Sequence, residues 1–93
     1  MADGGVNSTA ITTTDTIIRT GRCRYMGAMV RAAGGAIIVS IYDGTTASGE
    51  LIDTFSVADA ATVMHWFGPN GIECVAGIFA DVAANTAACI VYW

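Results

Sequence analysis

His65 has the side chain best suited to acid–base chemistry, and it is the one histidine in 93 residues. It stands between Met64 and Trp66 in an apolar run, with no His-x-His, His-Glu-x-x-His or nearby cysteine to share a metal. The sequence therefore reads it as a histidine of the core or its rim. Ser8, Ser40, Ser48 and Ser56 lack the tight strand–turn–helix context that exposes a nucleophilic hydroxyl. Asp43, Glu50, Asp53, Asp59, Glu73 and Asp81 are spread over turns and strand edges, and read as solvated charge. A calcium site at Asp43-Gly44-Thr45 would need more oxygen ligands than that segment supplies. Cys23, Cys74 and Cys89 are an odd number, and their spacing fits neither a disulfide framework nor paired metal-binding motifs. They read as small buried hydrophobes, with one internal bridge as the competing assignment. No catalysed reaction and no cofactor are expected.

The elements that must position these groups are strands. Ala36–Tyr42 and Leu51–Val57 are β-branched apolar runs separated by Asp43-Gly44-Thr45-Thr46-Ala47-Ser48-Gly49-Glu50, which predicts a strand, a loop and an antiparallel strand. Asp bonds its own backbone and Gly accepts a positive φ, so Asp43-Gly44 starts the reversal and Gly49 offers a second turning point. On the returning strand Phe55 marks the core side, shared with Leu51, Asp53 and Val57. Ile52 is an apolar exception on the wetter side. Upstream, Asp15–Thr20 and Arg22–Ala32 read as two strands or as one bent at Gly21. Arg22–Ala32 is clean on neither face. Downstream, Thr62–Phe67 is a strand, and Gly68-Pro69-Asn70-Gly71 is the strongest turn signal in the chain. A long strand from Ile72 to Val82 is interrupted at Gly77, and a last strand runs from Thr86 to Trp93. Ala58–Thr62 is too short for an independent helix. The pattern predicts an all-β domain over 15–93, a single antiparallel β-sandwich or jelly-roll-like barrel of six to seven short strands. Residues 1–14, rich in Gly, Ser and Thr, are expected to be a flexible N-terminal arm.

Composition narrows the partners. The chain is 54% hydrophobic and 13% charged, with a net charge of -4, four arginines and no lysine. Such a surface cannot displace counterions from nucleic acid and is not drawn to an anionic membrane. No run approaches the roughly 18 apolar residues of a membrane span, and the N-terminal stretch lacks the charged and apolar regions of a secretion signal. An unsecreted soluble product is expected. More apolar surface than one small core can hide predicts burial against other subunits.

The turn and strand motifs carry a resemblance. IYDGTTASGELIDTFSV, followed by FGPNGIECVAGIFADV and a terminal CIVYW, resembles small β-proteins encoded among the virion genes of tailed bacteriophages. The matching positions are Asp43–Gly49, Gly68–Ile72, Ala76–Phe79 and Ile90–Trp93. The resemblance implies a virion component made in the host cytoplasm, a capsid decoration (cement) protein in the first reading. A tail, neck or fibre subunit is the alternative. The implied partners are the phage capsid protein or another virion subunit. Apolar residues on both faces of Arg22–Ala32 and of Ile72–Val82 separately predict further copies of the chain as partners, a trimer first and a dimer second, since closed symmetry hides such faces. The candidate interface residues are Val6 and Ile11 on the arm, then Tyr25, Met29, Trp66, Tyr92 and Trp93. A carbohydrate-binding module on a tail fibre is a further class, because Tyr25, Tyr42, Trp66, Tyr92 and Trp93 supply rings for stacking on sugars. It would need two of them exposed on one concave face.

Overall fold

A computed structural model describes residues 7–11 and 15–93. Among them there is no helix, and every paired strand is antiparallel. Ten strands follow in chain order: β1 (Ser8–Ile11), β2 (Thr16–Thr20), β3 (Cys23–Tyr25), β4 (Gly27–Ala32), β5 (Ile37–Asp43), β6 (Glu50–Val57), β7 (Thr62–Trp66), β8 (Ile72–Cys74), β9 (Gly77–Asp81) and β10 (Thr86–Tyr92). They form one four-stranded sheet in the order β1-β10-β4-β7, a second in the order β2-β9-β5-β6, and a two-stranded sheet, β3-β8.

Alternation decides which side chains go inward. On the second sheet Ile18, Val39, Ile41, Phe55, Val57, Ile78 and Ala80 are buried. On the first, Ala28, Val30, Ala32, Cys89 and Val91 are. All of them belong to one hydrophobic cluster, so the inner faces of the two larger sheets share a core.

The hairpin of β5 and β6 closes where the sequence places it, in register from Ile37↔Val57 to Asp43↔Glu50. Its loop is held from outside. The Asp43 carboxylate accepts the backbone N–H groups of Val75 (3.0 Å) and Ala76 (2.9 Å), and Gly44 N–H donates to the Gly77 carbonyl. These amide donors hold the Asp43 carboxyl below the usual carboxylate range.

Four expectations are corrected. The strands number ten rather than six or seven, because the two long runs break where the chain changes partner and the stretch read as an arm adds β1. Arg22–Ala32 splits at Met26, leaving β3 paired with β8 and β4 paired with β10 and β7. Ile72–Val82 splits at Val75-Ala76 rather than at Gly77, which instead opens β9. The register also shifts between Ile41 and Tyr42, a bulge that changes which residues of β6 point inward. Leu51 is consequently 53% exposed, while Ile52 packs on the core. Within the stretch read as an arm, Ser8–Ile11 is strand β1, lying in the register Ser8↔Tyr92 to Ile11↔Cys89 along β10. It covers an edge of β10 that would otherwise offer unpaired backbone groups to another chain. Tyr25, taken as an interface residue, is fully buried.

The last strand behaves as its composition predicts. β10 is paired on both sides, and Trp93 ends it with its indole N–H donating to Thr9 Oγ1 at 3.2 Å. The Arg19 guanidinium lies 5.1 Å from the Trp93 ring centroid, and Asn7 and Trp93 exchange backbone hydrogen bonds.

Candidate functional site

The outer face of the β1-β10-β4-β7 sheet follows directly from the register. Because Ala28, Val30 and Ala32 point into the core, Met29 and Arg31 point out, and Gly27 takes a place on the same outer face. On β10, Cys89 and Val91 point in, and Ile90 and Tyr92 out. On β7, Met64 and Trp66 are exposed. Pairing then aligns these side chains in two rows across the sheet. One runs Met64, Met29, Ile90, Ala10; the other runs Trp66, Gly27, Tyr92, Ser8.

Gly27 has no side chain, so the rings of Trp66 and Tyr92 meet over it, 6.0 Å apart at their centroids and inclined at 86°. Edge-to-face contact of this kind adds attraction beyond the area buried. The surface remains open nonetheless, with Met64 55% and Trp66 51% exposed. Two methionines beside an aromatic pair give an apolar, adaptable surface of the sort that packs against another protein.

Of the residues singled out from sequence, Met29, Trp66 and Tyr92 come together on this face. Trp93 lies at the end of β10 beside Thr9 and Arg19, away from the two rows. Ile11 is on β1 opposite Cys89, and Val6 lies outside the described residues. Met64 and Ile90 were missed. Their signal is the parity of β7 and β10, which becomes readable only once both are paired with β4. The opposite sheet has a single apolar row on its outer face: Ile17, Phe79, Tyr42 and Leu51 are successive cross-strand partners.

Tyr25 belongs elsewhere. β3 turns its ring inward, and its hydroxyl donates to Asp53 Oδ2 at 2.7 Å. Asp53 also faces His65 Nδ1, at 2.9 Å from Oδ1, and accepts the Thr54 backbone N–H. The imidazole stacks on Phe55, with centroids 4.1 Å apart, and meets Phe67 edge-on at 6.3 Å. Burial first, and the adjacent carboxylate second, push the Tyr25 phenol far above its ordinary range, so it stays a donor.

A carboxylate oriented on a histidine is part of a nucleophilic-catalysis constellation, but the groups around His65 are this carboxylate and two phenyl rings. Among the described residues no cluster of three His, Cys, Asp or Glu side chains could hold a metal. A shallow hollow lined by Ala36, Ile37, Ile38, Ser56 and Ala83 shares no residue with the cluster.

The arrangement fastens β3, β6 and β7 together. Replacing Asp53 by Ala strands a buried phenol donor, and unfolding in urea should then show a loss of about 1–3 kcal/mol. Combining it with Tyr25→Phe should cost less than the sum of the two single changes, because both remove the same bond. Strict additivity would show that the hydrogen bond contributes nothing.

No helix among the described residues is long and apolar enough to cross a membrane. No family model, curated protein or solved structure matches the chain.

Proposed function

We propose that the chain is a structural virion protein of a tailed phage that works by binding other protein subunits and catalyses no reaction. The first reading is a capsid decoration (cement) protein. The observation that carries the binding role is the pair of apolar rows, Met64-Met29-Ile90 and Trp66-Tyr92, on the outer face of a four-stranded sheet. The phage context rests on the resemblance carried by Asp43–Gly49, Gly68–Ile72, Ala76–Phe79 and Ile90–Trp93. The two larger sheets, sharing one core, read as a β-sandwich that holds this face rigid.

In this role the chain stabilises a shell by mass action, because contacts made only in the assembled particle favour that state. A subunit spanning several neighbours gains again, since the first contact raises the effective concentration of the next. The partners are capsid protein or another virion subunit, and copies of the chain itself in a closed trimer or, second, a dimer. A tail or neck subunit would use the same surface.

Replacing Met64 by Glu places a charge on the β7 edge of the face, at the end of the Met64-Met29-Ile90 row, without touching the core. Binding to particles of the encoding phage lacking this protein should fall at least about tenfold, a loss of roughly 1.4 kcal/mol, and sedimentation should show the wild-type oligomer dissociating in the variant. A folded monomer at micromolar concentration, with particle binding unchanged in M64E, would sink the proposal. The glycan-binding class is separated by a glycan array, where Trp66→Ala would abolish a positive signal.

A further inference from the structure

The register places two of the three cysteines face to face. Cys23 on β3 is the direct cross-strand partner of Cys74 on β8, in a two-stranded sheet only three residue pairs long. Directly opposed residues of an antiparallel ladder have Cα atoms about 4.5–5.5 Å apart, inside the roughly 4.4–6.8 Å that a disulfide spans. Both are free thiols, Cys23 half-buried and Cys74 fully buried, and the Cys74 thiol donates to the Ile72 carbonyl at 3.7 Å. Cys89 is apart from them, on β10 opposite Val30 and Ile11.

We propose that Cys23 and Cys74 are a modification site: a dithiol that exchanges with a low-molecular-weight disulfide, of which oxidised glutathione is the type, to form one cross-strand bond between β3 and β8. Exposure fixes the order of events. The Cys23 thiolate attacks a sulfur of the oxidised reagent, forming a mixed disulfide and expelling one reduced thiolate. Cys74, buried beside it, then loses its proton to solvent and attacks the Cys23 sulfur, which expels the second. The protein loses two electrons and two protons, and one molecule of disulfide becomes two of thiol.

Burial raises both protein thiols above their ordinary range, so exchange should be slow near neutrality and accelerate as pH rises. The bond closes the long stretch of chain carrying β4 to β7, where a crosslink removes the most freedom from the unfolded state. A protein passing from a reducing to an oxidising compartment would gain this tie in the second. The inference rests on the register alone and stands whether or not the chain belongs to a virion.

The test is intact-mass spectrometry of the folded wild-type protein after incubation with oxidised glutathione at pH 8.5. The expected product has lost two hydrogen atoms, and digestion should recover the Cys23 and Cys74 peptides joined, with Cys89 free. Cys74→Ser should stop at a glutathione adduct on Cys23, and Cys23→Ser should not react at that strand pair. The oxidised wild type should melt about 10 °C or more above the reduced form. A wild-type protein that keeps both thiols, that retains a stable adduct on Cys23, that joins either cysteine to Cys89 or that gains no thermal stability would overturn the proposal.

Discussion

Gly27→Ala should leave little folded protein. Gly27 begins β4 at φ +143°, a conformation that residues with side chains rarely adopt, and a Cβ there would overlap the carbonyl oxygen of His65 on the neighbouring strand. Neither strand can yield easily. β7 is held by five successive pairs with β4, and His65 is fixed by Asp53 and Phe55. Backbone strain of about 1–3 kcal/mol and a backbone clash of similar size sum to about 4 kcal/mol, most of what a small domain has. Circular dichroism of G27A should lose its cooperative thermal transition. Gly21→Ala is the control, because Gly21 has φ +89° but open space around it. It should cost only the strain, about 1 kcal/mol, and a comparable loss in both variants would show that the His65 carbonyl is not the cause.

Gly27 also shows why the exposed apolar face was only partly legible in the sequence. Met29, Trp66 and Tyr92 stand out as large apolar residues on ambiguous strands. Their meeting depends on a glycine lying between Trp66 and Tyr92 in register, and register is set by partners distant in sequence. Local signals performed well where the physics is local. Asp43-Gly44 and Gly49 bound the β5–β6 turn, Phe55 and Val57 are buried, and β10 is paired on both sides. Period-two alternation failed at Leu51 and Ile52, because one bulge reverses every face beyond it. Ser8–Ile11 looked like an arm because Ile11 is its one sizeable apolar residue, in a run rich in Gly, Ser and Thr. What recruits them is the free edge of β10, a feature of the far end of the chain. The contact of Tyr25 with Asp53, and the opposition of Cys23 and Cys74, likewise join residues that no spacing rule connects.

The second large effect is a loss of stability in alkali, expected of the protein kept reduced. Burial pushes the Cys74 thiol up to about 12 and the Cys89 thiol up to about 11, from an ordinary value of 9.0. Tyr25 is raised well above its ordinary 10.0, by burial and by donating to Asp53. In each case the folded state keeps a proton that the unfolded chain releases, so the stabilising contribution is complete below about pH 9 and is lost as pH rises through the folded values. Each such group costs about 1.4 kcal/mol per pH unit within its window. Between pH 9 and 11 the two thiols together remove at most about 4 kcal/mol, and Tyr25 steepens the fall above pH 10. Asp43 acts at the other end with the opposite sign: its carboxyl is lowered, so its small contribution disappears as pH falls through the folded value. Urea midpoints measured with dithiothreitol at pH 8, 9.5 and 11 should decline steeply. Cys89→Ala should flatten the slope by one proton, and Tyr25→Phe should remove only the part above pH 10. A midpoint unchanged from pH 8 to 11 would mean that these groups release their protons without unfolding, and that the core around β3, β8 and β10 is open to water.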